Sequence, residues 1–444
     1  EIAQCLVGSE MCIRDSSMTS KPSSRSASAQ AAPDLSDISR SPLVPPLSKT
    51  TLVTDGSHGL VVIMLSSHGA SERFDAQNGI VMAAATSRQG LPMQKKRDMM
   101  SLSHQELEQL MDELGQPRFR VRQIEEWLYA RGAKIISNLD NLPLSLRSQL
   151  DARFFIGSLD LVTRQVSEDG TRKYLFELAD GACIETVGIP SADGKHLTVC
   201  FSSQAGCPMG CAFCATGRAG FVRNLSSGEM YDQVRLVADD FGIRVSNVVC
   251  MGQGEPFLNY DEVLEALRRM NAKLGLGIGA RHMTVSTCGL LDGIERFSTE
   301  PEQFTLAISL HAAIQDTRDS LMPGVSNTSI DSLKKAIRHY GEVTGRRPSL
   351  EYAPIKGVND DDEHIEALVE FCKGMLCHVN LIPLNPVTPG KHGDGMMVPS
   401  NRTSHISNVL SARGIENSIR KSRGKDIDGA CGQLRQRLES SMSS

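Results

Sequence analysis

Apolar positions recur along the chain in two rhythms. Leu107, Leu110, Met111 and Leu114 fall three and four apart behind a Ser103-His104-Gln105-Glu106 capping signal, which predicts a helix starting near Ser101. Val121, Ile124, Trp127 and Leu128 predict a second. Asn141 to Leu150 predicts a third, with Asn141 as its cap and Pro143 in its first turn. The rhythm then shortens to alternation. Leu161 to Val166, Arg172 to Leu178 and Cys183 to Ile189 read as antiparallel strands, separated by the turn signals Asp169-Gly170 and Asp180-Gly181.

From Leu197 a beta–alpha alternation takes over. Strands are predicted at Leu197 to Phe201, Val245 to Met251, His282 to Ser286, Phe304 to Leu310, Ser349 to Ala353 and Val379 to Pro383. Helices between them include Ser227 to Phe241, Asp261 to Leu274 and Ser329 to Tyr340. Such alternation implies a parallel sheet with right-handed crossovers. The expected fold class is therefore α/β: a partial barrel of six β/α units, with a small N-terminal helical domain and a short antiparallel β segment. Boundaries are expected at 101–155 for the helices, 156–196 for a β-rich connector, 197–438 for the barrel and 439–444 for a tail. In barrels of this build the chemistry gathers at the carboxyl ends of the strands.

Residues 1–100 carry no sustained rhythm and read as an unstructured extension. The Ser-, Ala- and Pro-rich stretch from Ser16 to Ser48 has the composition of an organelle transit peptide, against which Asp34 and Asp37 count. The chain opens on Glu1, so an incomplete or read-through translation with Met18 as the start is another expectation. The longest early apolar run, Leu60 to Leu65, is too short to span a bilayer. The expectation is a soluble protein of the cytoplasm, or of an organelle matrix if a transit peptide is present. A net charge of −5 over 444 residues excludes a whole-surface nucleic-acid coat, so any RNA site must be a local basic patch. Arg118, Arg120, Arg122, Arg131 and Lys134 in the helical unit offer either a solvated face or such a patch. Twelve cysteines are too dilute for a disulfide scaffold and suit a reducing compartment.

Candidate chemistry centres on Cys207-Pro208-Met209-Gly210-Cys211-Ala212-Phe213-Cys214. Three thiols at this spacing can point inward from one loop. Iron–sulfur clusters often use four thiolates, so three leave one iron free. A structural zinc site wants four closed ligands, and no second C-x2-C pair follows. At the next strand end, Gly252-Gln253-Gly254-Glu255-Pro256 lets backbone approach a ligand while Glu255 can accept from an ammonium group. Ser286, Ser309-Leu310-His311 and Asn385 close later strands with hydroxyl, imidazole and amide groups. Cys431 sits in a glycine-flanked run, and Cys200 lies seven residues before the first cluster cysteine. The pair could form a transient disulfide; a buried core thiol is the plainer reading of Cys200.

With Phe213 just before the third cysteine, this loop resembles the radical S-adenosylmethionine (SAM) superfamily. Gln116-Pro117-Arg118-Phe119-Arg120, the run from Cys200 to Cys207, Gly-Glu-Pro, Ser-Leu-His and Asp426-Ile427-Asp428-Gly429-Ala430-Cys431-Gly432-Gln433-Leu434 together resemble the RlmN/Cfr family of RNA methyltransferases over about Ser101 to Leu438. The resemblance implies a [4Fe-4S] cluster on Cys207, Cys211 and Cys214. It implies SAM on Gly254, Glu255, Ser286, Ser309, Leu310, His311 and Asn385, with two SAM per turnover and a 5′-deoxyadenosyl radical. It further implies methylation of adenine carbon 2 in large-subunit rRNA and in tRNA. Cys431 would carry the methyl group, Cys200 would resolve the adduct through a disulfide, and Glu185 would accept the ring proton, with Glu177 as the fallback. Arg420, Lys421, Arg423 and Lys425 could hold phosphates of a flipped-out substrate. Expected partners are the two RNAs and an electron donor such as flavodoxin or ferredoxin, with the chain acting as a monomer. Competing expectations are methylation at carbon 8, a small-molecule radical enzyme and a noncatalytic metal-containing RNA-binding module.

Overall fold

The computed structural model describes residues 96–157, 159–385, 397–421 and 423–427. One ten-stranded sheet carries the fold. Its strands are β1 (Leu159–Val166), β2 (Arg172–Leu178), β3 (Cys183–Pro190), β4 (Leu197–Phe201), β5 (Val245–Cys250), β6 (Met283–Thr287), β7 (Thr305–Ser309), β8 (Ser349–Tyr352), β9 (His378–Leu381) and β10 (Asn417–Ile419). They lie side by side in chain order. The pairings among β1 to β4 are antiparallel, and every pairing from β4 to β10 is parallel. The reason is visible in the sequence. A two-residue turn such as Asp180-Gly181 can join only antiparallel strands, whereas a parallel partner needs a crossover helix. The first such helix, Ser227–Phe241, opens on a Ser226/Glu229 capping box and ends at Gly242 in the left-handed region.

The predicted strands are all present to within two residues at either end. Two differences have physical causes. The parallel array has a seventh strand, β10, whose three residues Asn-Ser-Ile are too few and too polar to show a rhythm. Order also begins ahead of Ser101: Arg97–Asp98 pairs with Phe154–Phe155, and Met99 and Met100 are fully buried. Helix His104–Glu113 carries the expected capping box on Ser103. The third helix runs from Leu144 to Arg153 without a side-chain cap. Asn141 is not its cap, because its Oδ1 accepts instead from the Trp127 indole at 2.7 Å.

The front helices and the barrel share one apolar core. Met99, Leu107, Val121, Ile124 and Leu150 belong to the same buried cluster as Met230, Val234 and Leu267. Arg269 reaches across to donate to the carbonyls of Met100 and Leu102. No helix among the described residues is long and apolar enough to cross a membrane.

Candidate functional site

The carboxyl ends of the parallel strands open into a cavity of ≈ 370 Å³. Cys200 lines it from β4, and Cys207, Cys211 and Cys214 from the loop that follows. Gly254 and Glu255 come from the loop after β5, Ser286 from β6, Ser309 and His311 from the end of β7, and Asn385 from beyond β9. Ten sequence-predicted residues thus meet in one place. Leu310 is fully buried and is not among the residues that line the cavity.

The cysteine loop is held from both sides. Gln204–Gly206 pairs with Phe221–Asn224 in a short antiparallel ribbon that pinches the loop at its base. Gly206 is required there, because its φ is +76° and a Cβ would lie 2.0 Å from the Gly220 carbonyl oxygen. On the other side, Ala212 N donates to Leu321 O at 2.9 Å and Gly324 N to Met209 O at 3.1 Å. Burial pushes the Cys207 thiol up to about 11, with Cys214 adding a smaller repulsion. It pushes Cys211 up to about 12, and there Cys214 and Cys207 both add. Partly buried cysteines whose thiolate forms would repel one another ionise together only when a cationic centre is bound between them. Among the described residues no three His, Cys, Asp or Glu groups converge on a single ion. Three soft donors spread around one loop fit a cluster, in which each thiolate binds a different iron, better than a mononuclear zinc site.

Glu255 is buried, and its two carboxylate oxygens accept from Phe257 N at 3.0 Å and Cys288 N at 2.8 Å. Burial raises its pKa, and those backbone donors pull it back. The turn that presents it is tight: Gly254 has φ +109°, and a Cβ there would meet Ser203 Oγ at 2.6 Å. His311 is the described non-glycine residue with positive φ, at +52°. Its Nδ1 accepts from Ala353 N at 3.1 Å, which leaves Nε2 as the protonated, donating nitrogen. Burial, then the nearby Arg318 charge, lowers its pKa to about 3, so it is a neutral donor.

Around Cys200 the wall is built by register. Val187 on β3 lies opposite both Cys200 on β4 and Lys173 on β2. Glu185, two residues back on the same face, is buried, with Lys173 Nζ 3.2 Å from its Oε1. Neither is a lining residue of the cavity itself, whereas Val187 is. Glu177 is exposed on the same strand as Lys173. Burial pushes the Cys200 thiol up to about 11, opposed most by Arg420. Arg420, Lys421 and Arg423 form a cationic rim after β10. That segment returns to the β1–β2 turn, where Asp169 accepts from Gly424 N at 3.1 Å and Asp426 accepts from Glu168 N at 3.0 Å. Cys431 and the Lys425 side chain lie outside the described residues.

Sequence reasoning missed Lys173, Glu351 and Arg318. Glu351 lines the cavity floor, accepting from Ser349 Oγ at 2.6 Å and Asn380 Nδ2 at 2.8 Å, and burial raises its pKa. A charged residue inside the strand Ser-Leu-Glu-Tyr was the available signal.

Residues 97–156 match the ribosomal RNA large subunit methyltransferase N-terminal domain, and residues 201–372 match the radical SAM superfamily. The chain is 45% identical over 335 residues to the "Probable dual-specificity RNA methyltransferase RlmN" of Pelotomaculum thermopropionicum, covering 75% of this chain and 89% of that one. The chain belongs to the RlmN family of radical SAM RNA methyltransferases. An RlmN relative of the same name in Synechocystis is 44% identical over 337 residues, covering 76% and 94%. The similarity extends to a solved structure, a radical SAM methyltransferase from Sphaerobacter thermophilus, at TM-score 0.70 and 43% identity, covering 76% of this chain and 98% of that one. Membership of the RlmN family brings with it a [4Fe-4S] cluster and SAM, which the three thiols and the Glu255 turn are chemically suited to hold.

Proposed function

We propose that this chain methylates carbon 2 of an adenine in large-subunit rRNA and in tRNA, consuming two SAM per turnover. The observation that carries the reading is the meeting of Cys200, the three loop thiols and the Glu255 turn around one cavity with a cationic rim. Cys207, Cys211 and Cys214 would hold the cluster, while Gly254, Glu255, Ser286, Ser309, His311 and Asn385 would hold SAM. When bound, the cluster and SAM supply the one-electron chemistry that activates an otherwise inert methyl group. Carbon 2 of adenine is electron-poor, so a polar methyl transfer to it fails.

The chain's own groups do the rest. Cys431 carries the methyl group as a thioether and becomes joined through it to the base. Glu185 takes the ring proton, held in place by the Lys173 ammonium. Cys200 then attacks the Cys431 sulfur. An S–S bond forms as the bond from sulfur to the methylene carbon breaks, the freed carbon takes a proton to become the product methyl group, and a dithiol reductant returns both thiols. Arg420, Lys421 and Arg423 would hold phosphates while the base is unstacked. The 101–155 helices dock RNA, and a flavodoxin- or ferredoxin-like protein delivers electrons to a monomer.

The test is anaerobic methylation of an rRNA fragment and a tRNA with isotopically labelled SAM, followed by nucleoside mass mapping. Product labelled at carbon 2 in both RNAs is expected. Label only at carbon 8 would overturn the assignment.

A further inference from the structure

The helix Gln315–Leu321 packs against the cysteine loop, bonded to it through Ala212 N and Leu321 O, and it carries a fully buried arginine, Arg318. Its Nη2 donates to Cys288 O at 2.6 Å. Its Nε and Nη1 have no partner among the described residues. No described carboxylate pairs with it. The nearest acid in sequence, Asp319, is engaged by Gln315 Nε2 at 2.8 Å. The charged or ionisable groups around it are the thiol of Cys288, the already engaged Asp319 and the thiol of Cys211. A guanidinium taken out of water with two donors unfilled and no anion bonded to it is strongly disfavoured, which favours an anion that completes it.

We propose that Arg318 is the built-in counter-cation of the iron–sulfur cluster, aiming its two unpaired donors at the Cys211 side of the cluster and raising its reduction potential. The proposal rests on the reading of Cys207, Cys211 and Cys214 as cluster ligands. A dicationic core with three thiolates carries one net negative charge, and two after it gains an electron. A fixed positive charge close by therefore stabilises the reduced form more than the oxidised one. Hydrogen bonds and charge around the sulfurs are among the levers that set such potentials. Arg318 is absent from the cavity lining whereas Cys211 is present. The guanidinium is therefore not among the groups that face the space open to SAM. A purely structural role as a clamp on the Cys288 carbonyl would need one donor and no charge.

The experiment is a redox titration of the anaerobically reconstituted full chain, followed by the paramagnetic signal of the reduced cluster. Arg318→Met should shift the reduction equilibrium at least tenfold toward the oxidised form, about 59 mV lower for a one-electron couple. Arg318→Lys, which keeps the charge, should fall by less. The cluster-free proteins are melted in parallel: without its anion the wild-type arginine is a liability, so cluster-free Arg318→Met should be no less stable than wild type. An unchanged potential in Arg318→Met, or a cluster-free variant that no longer folds, overturns the proposal. Weakened SAM binding with an unchanged potential overturns it too, and makes the SAM carboxylate the partner. A wild-type chain that takes up no iron would instead sink the cluster reading itself.

Discussion

Lys173 on β2 and Glu185 on β3 form an ion pair, Nζ to Oε1 3.2 Å, with side chains only 1% and 4% exposed. The pair sits beside Val187, the residue that faces Cys200 across the cavity wall. A buried carboxylate beside a buried ammonium is held in one orientation with little access to water, and the proposed function makes it the acceptor of the ring proton. Glu185→Gln should therefore lower RNA methylation by about 10²–10⁴-fold, the usual contribution of a positioned base. SAM binding, measured by calorimetry, should be unchanged. Lys173→Met removes the buried ammonium from beside the carboxylate and should cost about 3–5 kcal/mol in urea unfolding.

The Cys200 thiol, pushed up to about 11 by burial, is quiet in the resting protein. At pH 8 its alkylation by iodoacetamide should be about a hundredfold slower than that of an ordinary exposed thiol, read by peptide mass spectrometry. During turnover the Cys200→Ala variant should accumulate an RNA–protein adduct, and Cys431→Ala should form none. Free methylated RNA from Cys200→Ala would remove that residue from the reaction.

Stability should fall in mild acid on account of His311. Its folded pKa is lowered to about 3 by burial and then by Arg318. The unfolded imidazole titrates near 6.5. Between those values the unfolded chain binds a proton that the native one refuses. Its contribution is intact above about pH 6.5 and declines toward pH 3, by up to about 1.4 kcal/mol per pH unit. Glu255 and Glu351, raised by burial, act in the opposite sense. The informative quantity is therefore the difference between wild type and His311→Gln, measured as urea midpoints at pH 7 and pH 5. The variant should lose less stability on acidification.

Gly206→Ala should fold but fail to load iron. A Cβ at this position collides with the Gly220 carbonyl, and only the small ribbon at the base of the cysteine loop depends on that approach. Iron after anaerobic reconstitution should drop from about four per chain to under about one, since the thiols no longer share a loop of the required shape.

What the sequence disclosed follows from distance along the chain. Cys207, Cys211 and Cys214 lie within eight residues, so their spacing alone implies one centre. The Glu255 turn was legible because two glycines and a proline flank an acid. Lys173 and Glu185 were legible only as separate residues, since their meeting depends on the register of two strands. Arg318 gave no signal at all: a helical arginine looks solvent-facing until the packing of its helix against the loop is known. Of the five cations that marked a basic face, Arg118 and Arg131 are engaged by Asp112 and Glu126, while Arg122 and Lys134 stay exposed. Deleting residues 101–150 would be a poor test of RNA docking, because Leu107, Val121 and Leu150 belong to the barrel's own core.

Because the ten strands are laid down in chain order, each can add to its predecessor as the polypeptide leaves the ribosome. The join between residues 423–427 and the turn at 167–169 is different, since it links a late stretch to one made some 250 positions earlier. The rim of the cavity is thus anchored late, and a nascent chain stopped short of Gly424 would own its thiol loop and its rim cations but lack the two bonds that tie that rim to the far edge of the sheet.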